Sequence, residues 1–205
     1  AIRSLLSNRN FLLLVVYFTL PAMAGWVIKD WMPPLLKERF HLGEGKAGAI
    51  AMFVHPASIL GAALGGWLAD RRMRETARGR IHVSAAGMAM FLPALYGIGS
   101  AETWFAAAAG LVLFGIGWGF FDCNNMPILC QIVRPELRAT GYGLMNLVSI
   151  SLGGVADWGF GILRNRDVPV SVIFGAFTLL AGLSIAVVWL IRPAESNTTR
   201  SPGVA

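Results

Sequence analysis

Charge is what this chain has least of. Only 14% of its 205 residues are Asp, Glu, Lys or Arg, whereas 56% are hydrophobic, and the mean hydropathy is +0.62. A water-soluble domain keeps about a quarter of its residues charged, so an ordinary solvated surface is excluded. Cysteine is nearly absent. Cys123 and Cys130 stand seven residues apart on one expected helix, about 10 Å along its axis, which is too far for a disulfide. They read as small packing residues. No His, Cys or carboxylate spacing matches a metal site, and no nucleophile stands at a useful spacing from a base. No metal or other cofactor is therefore expected, and the chain is not read as an enzyme.

What the sequence does have is long apolar runs. Six stretches without Asp, Glu, Lys or Arg cover residues 11–28, 47–69 (with His55 inside), 83–101, 103–121, 139–156 and 168–191. About 20 residues of helix span a hydrocarbon core of about 30 Å. Backbone polar groups in lipid must be satisfied within the segment, so these are helices rather than open strands. The expected fold class is an all-α membrane protein with six transmembrane helices.

The basic residues then orient it. Gly65 to Arg80 reads GGWLADRRMRETARGR, where an apolar run ends and Arg71, Arg72, Arg74, Arg78 and Arg80 follow within ten residues. With loops on alternate sides, one face receives eleven Lys and Arg: those five, Arg3, Arg9, Arg134, Arg138, Arg192 and Arg200. The other receives five: Lys37, Arg39, Lys46, Arg164 and Arg166. The richer face is cytoplasmic by the positive-inside rule, so both termini are expected inside the cell (inner) membrane. The net charge of +6 is thus topological, and no nucleic-acid partner is expected.

Local signals divide the chain into a cytoplasmic lead-in (1–9), a six-helix bundle (10–193) and a disordered polar tail (194–205). Asn197-Thr198-Thr199 in that tail is a glycosylation sequon on the wrong side of the membrane. The double proline Pro33-Pro34 is expected to close the first span, since neither has an N–H. Pro56, beside His55, should bend the second span, and Gly61-x-x-x-Gly65 should let another helix approach it. Residues 100–103 form a loop short enough to make spans three and four antiparallel neighbours. Span four is long, 104–133, and contains Pro127. The sequence Gly65-Gly66-Trp67-Leu68-Ala69-Asp70 in span two is echoed by Gly153-Gly154-Val155-Ala156-Asp157 in span five, as an inverted 3+3 repeat would require. The chain begins at Ala1 rather than Met, which is expected of part of a longer protein.

Polar side chains inside lipid face a cavity or a partner, and here they are unevenly spread. Span one has Lys29 and Asp30, span two His55, span four Asp122, Asn124, Asn125 and Gln131, and span five Asn146 and Asp157. Spans three and six have no acid, base or amide in their cores. Spans one, two, four and five are therefore expected to line a wet path, with three and six facing lipid. Lys29, Asp30, His55, Asp122, Asn124, Asn125 and Asn146 are the candidate substrate-binding or coupling residues. For each the alternative is structural: a snorkelling charged pair, a packed histidine, or hydrogen bonds between helices. Asp157, near the outer boundary, leans structural.

Gly66-x-Leu68-Ala69-Asp70-Arg71-Arg72-x-Arg74 resembles the signature loop of the major facilitator superfamily of transporters, with Met73 where the family has glycine. Arg134-Pro135-Glu136-x-Arg138-x-x-Gly141 is similar to a second loop of that family. Together they align 10–193 with the C-terminal half of a twelve-helix fold. The resemblance implies two six-helix bundles working by alternating access. The partner would be a missing N-terminal six-helix half or a second copy. It also implies that the first, second, fourth and fifth helices line the path, and that Gly66, Asp70, Arg71, Arg74, Glu136 and Arg138 serve gating. Asp70 would pack against the opposite half, and Arg71 or Arg74 would pair with Glu136.

Asp30-Trp31-x-Pro33-x-x-Leu36-Lys37-Glu38 also resembles organophosphate–phosphate exchangers and their organic-anion relatives. Their anion-binding arginine corresponds to Gly25 here, with Lys29 as the available substitute; a sugar or sugar acid fits as well. The expected activity is secondary active transport of a small polar solute across the bilayer, coupled to a proton or an exchanged anion. The alternative is a transporter-like sensor that binds solute without carrying it.

Overall fold

The computed structural model describes residues 2–192, so the tail 194–205 and its sequon lie outside the described residues. Among the described residues six helices are long and apolar enough to cross a membrane: Arg9–Phe40, Glu44–Met73, Gly79–Ser100, Trp104–Ile132, Pro135–Asn165 and Val170–Leu190. They are spans one to six. A short helix, Ile2–Leu6, precedes them.

Side-chain caps fix two of the starts. The Asn8 side-chain oxygen accepts from the N–H groups of Asn10 (3.0 Å) and Phe11 (3.3 Å) at the head of span one. Thr103 Oγ1 accepts from Ala106 N–H at 3.3 Å at the head of span four. Each supplies an acceptor to a helix end that otherwise has none.

Span one does not close at Pro33-Pro34. It continues to Phe40 with Pro21, Pro33 and Pro34 inside the helix. Each proline deletes one ladder bond, but Leu35 and Leu36 beyond them are buried in the core and hold the last turns helical. The stop comes at His41, in the left-handed region at φ 51°, where its N–H bonds the carbonyl of Lys37.

Span two is broken just ahead of its proline. It is interrupted at Met52 and Phe53, between the helical segments Glu44–Ala51 and Val54–Met73. Pro56 has no N–H with which to claim the Met52 carbonyl, which accepts instead from His55 N–H at 3.1 Å.

Packing reproduces the inverted repeat. Span two lies along span four as span five lies along span one, and span three packs on four as span six packs on one. Exchanging the first three spans for the last three therefore leaves the neighbour relations unchanged. The glycine echo takes part in this. A Cβ on Gly65 would stand 2.8 Å from the Cα of Phe120 in span four, and Gly153 lies flush on the Trp26 indole of span one with no room for a Cβ. In both copies a bare backbone lets the second helix of one triplet approach the first helix of the other.

Span three corrects the expectation of a lipid-facing support. It presents Ala86, Ala89, Pro93, Tyr96 and Ser100 outward, but Ile81, Met88, Phe91 and Leu95 are fully buried against its neighbours. Phe91 meets Phe114 with ring centroids 4.5 Å apart, and Phe121 carries the cluster on to Tyr17 of span one at 5.3 Å. A lack of polar residues excludes contact with water; it does not distinguish lipid from the helix-packed interior. Spans two and five are the least buried, with 22% of their apolar windows covered against 56% for span three.

Candidate solute site and the arginine latch

A cavity of about 320 Å³ opens where span two is interrupted. Span one contributes Gly25, Ile28, Lys29 and Pro33. Span two contributes residues on both sides of the interruption, among them His55 and Ser58, and span four contributes Phe114 and Trp118. The size suits a small ligand. Trp118 forms its aromatic wall, held almost parallel to Phe91 at 6.1 Å. The indole also covers Gly25 so closely that any side chain there would run into it. The position where the exchangers resembled above carry arginine is therefore filled from the other side by span four.

The cavity's ionisable lining is basic, Lys29 and His55, and no carboxylate lines it. The Lys29 ammonium sits 4.7 Å above the Trp26 ring, and no carboxylate among the described residues lies within salt-bridge distance of it. A cation held by an aromatic face and left without a carboxylate remains available to an anionic group.

Asp30 turns away from this cavity. With Trp31 and Pro34 it faces Asp157 and Trp158 across a cleft of about 460 Å³ between spans one and five. One carboxylate oxygen of Asp157 is buried without a hydrogen-bond partner. No local pattern pairs these two acids, since 127 positions separate them; only the packing of the two triplets brings their helices together.

The remaining candidates divide by burial. Asp122 is exposed on span four, with Asn125 Nδ2 at 3.5 Å from its Oδ1. Asn124 and Asn125 are 0% and 1% exposed and line none of these cavities. Asn124 Oδ1 accepts from Arg80 Nη1 at 3.2 Å, while its Nδ2 donates to the Phe120 carbonyl at 2.8 Å. Asn146 donates to the Tyr142 carbonyl of its own helix at 3.1 Å. Span five supplies nothing to the 320 Å³ cavity.

At the arginine-rich end the pairing differs from expectation. Asp70 pairs with Arg80 at 2.6 Å, and Arg72 with Glu75 at 3.0 Å. Arg71 lies over Trp67 at 5.9 Å, Arg74 is exposed, and Gly66 has open space around it. No ion pair among the described residues involves Glu136, so the expected contact with Arg71 or Arg74 is absent. The reason is the turn. Span two ends at Met73 and span three starts at Gly79, which folds Arg80 back beside Asp70. Arg138 instead donates to the Cys130 carbonyl at 3.1 Å, tying the start of span five to the end of span four. Arg80, counted from sequence only for its charge, thus links spans two, three and four through Asp70 and Asn124.

The described residues thus form six apolar helices in an inverted repeat, with a partly polar cavity between spans one, two and four. The model of the Major Facilitator Superfamily matches residues 1–156, and the chain belongs to that superfamily. Among solved structures, the crystal structure of a D-xylose-proton symporter matches with a TM-score of 0.66 at 14% identity. The match covers 90% of this chain and 48% of that one, so the chain spans about half of that protein's length. No curated protein matches the sequence.

Proposed function

We propose that this chain is the C-terminal half of a secondary active transporter that carries a small polar solute, a sugar acid or other organic anion before a neutral sugar, by alternating access. The observation that carries the reading is the cavity of about 320 Å³ with Lys29 and His55 on its wall, an aromatic face at Trp118, and no acid in its lining. The ammonium and imidazole would hold the anionic group while the indole stacks against the ring or chain of the solute. Asp122 follows Trp118 by one helical turn on the same face, and is the carboxyl we assign to coupling, whether to a proton or to an exchanged anion. The remaining wall would come from an N-terminal six-helix half or a second copy. Both termini would lie in the cytoplasm of a cell whose inner membrane holds the protein, given the arginines at that end.

The test is uptake into proteoliposomes of the intact protein, comparing D-glucuronate with D-glucose. Accumulation of glucuronate, reduced about tenfold or more in kcat/KM by Lys29→Gln, supports the reading; one charge-assisted contact is worth about that factor. Binding without accumulation would make the protein a sensor, and preference for glucose would remove the anion from the assignment.

A further inference from the structure

A second cavity, of about 480 Å³, lies at the opposite end of the bundle and is lined by Asn8, Arg9, Asn10, Arg78, Trp189, Leu190 and Arg192. Three arginines meet there from three separate places: the head of span one, the turn before span three and the end of span six. Among the described residues no acid lines the cavity, and none of the three arginines takes part in an ion pair. The place is built rather than frayed. Asn10 Nδ2 donates to the Arg192 carbonyl at 2.9 Å, and Arg192 N–H donates back to Asn10 Oδ1 at 3.2 Å, clasping the ends of spans one and six. Trp189, 47% exposed, stands 5.1 Å from the His82 ring, and Leu190 beside it is 56% exposed.

We propose that this cavity binds the phosphate headgroup of an anionic phospholipid. Guanidinium groups present planar donor forks that match phosphate oxygens, and three converging on one cavity need an anion that the described residues do not supply. A soluble phosphate would satisfy the arginines equally well. The exposed Trp189 and Leu190 at the cavity wall favour the lipid, because a tryptophan at this depth sits where headgroup meets acyl chain. Basic pockets between helix ends at a membrane surface hold anionic headgroups by the same chemistry. The positive-inside rule asks only for arginines on that side, a condition Arg71, Arg74 and Arg134 meet at exposed positions that line none of these cavities. The bound lipid would hold spans one, three and six together at their ends, independently of whatever the opposite cavity carries.

Native mass spectrometry of the intact protein tests this, with phosphatidylglycerol, phosphatidylcholine of the same acyl chains, and sn-glycerol 3-phosphate as probes. The expected result is retention of phosphatidylglycerol over phosphatidylcholine, and its loss in Arg9→Gln/Arg78→Gln/Arg192→Gln by about thirtyfold or more, at about fivefold per arginine. The matched variant Arg71→Gln/Arg74→Gln/Arg134→Gln should hold the lipid within about twofold, since none of its arginines lines the cavity. Equal loss in both triple variants would reduce the effect to diffuse charge and overturn the proposal. Equal retention of phosphatidylcholine, or displacement by an equimolar amount of glycerol 3-phosphate, would overturn it too. If the triple variant does not fold, Arg78→Gln and Arg192→Gln singly should each weaken retention by about fivefold, and unchanged retention in both has the same refuting force.

Discussion

Replacing Arg80 with Met should destabilise the protein far more than neutralising its ion-pair partner Asp70. Methionine keeps an unbranched stem of similar bulk and removes only the guanidinium. On one side Arg80 meets Asp70, whose side chain is 68% exposed; an ion pair in that setting is worth about 0–1 kcal/mol. On the other side it donates to Asn124, which is 0% exposed. With Arg80 gone, Asn124 Oδ1 has no donor, and a stranded buried acceptor costs about 1–3 kcal/mol. Asp70→Asn should therefore lower the thermal midpoint by no more than about 4 °C, and Arg80→Met, at about 2 kcal/mol, by about 4–8 °C, at about 2–4 °C per kcal/mol for a chain of this size. The assay is unfolding of the detergent-solubilised protein followed by tryptophan fluorescence, with Asn124→Leu completing a double-mutant cycle. Removing both partners should cost less than the sum of the single changes, with a coupling of about 1–3 kcal/mol. If Asp70→Asn proves as damaging as Arg80→Met, or if Arg80→Met is equally costly in the Asn124→Leu background, the latch is wrongly drawn.

Two further outcomes follow from the packing. Gly65→Val should drive a side chain into the Phe120 backbone and cost about 1–3 kcal/mol by overpacking; Gly66→Val, with open space around it, should stay within about 1 kcal/mol, the helix-propensity scale, and thermal shift of both separates the cases. Gly25→Arg should not confer anion binding, because Trp118 occupies the space. Only Gly25→Arg with Trp118→Ala should bind glucuronate more tightly than the unaltered protein, read by isothermal titration.

The broad architecture was legible because it depends on local composition. Six uncharged runs, an arginine-rich turn and a three-residue connection between spans three and four are properties of adjacent residues, and the helices, antiparallel pairing and superfamily follow from them. What failed depended on distant partners. Pro33 and Pro34 have the chemistry to end a helix, and only the burial of Leu35 and Leu36 overrides it. Span three has no acid, base or amide in its core, which points to lipid, yet one of its faces is covered by spans four and six. Asn124 looked like part of a wet path because an amide in hydrocarbon needs a partner. That partner is Arg80, 44 positions away on another helix, and no periodicity announces it. Of the residues that line the cavity, Lys29 and His55 stand out in the sequence by their cost in lipid, while Trp118 and Phe114 are invisible among so many apolar neighbours.

The interruption of span two has a mechanical consequence. Met52 and Phe53 break the helical ladder between Glu44–Ala51 and Val54–Met73, so a flap of the eight residues Glu44–Ala51 hinged at that gap is the motion the break would permit. Gly48 and Ala51 sit on that flap, while Val54, His55 and Ser58 sit on the fixed side. A bulkier guest would push the lid outward and leave the His55 imidazole where it is. Tolerance for size and selectivity for charge would then reside on opposite sides of a single break in the helix.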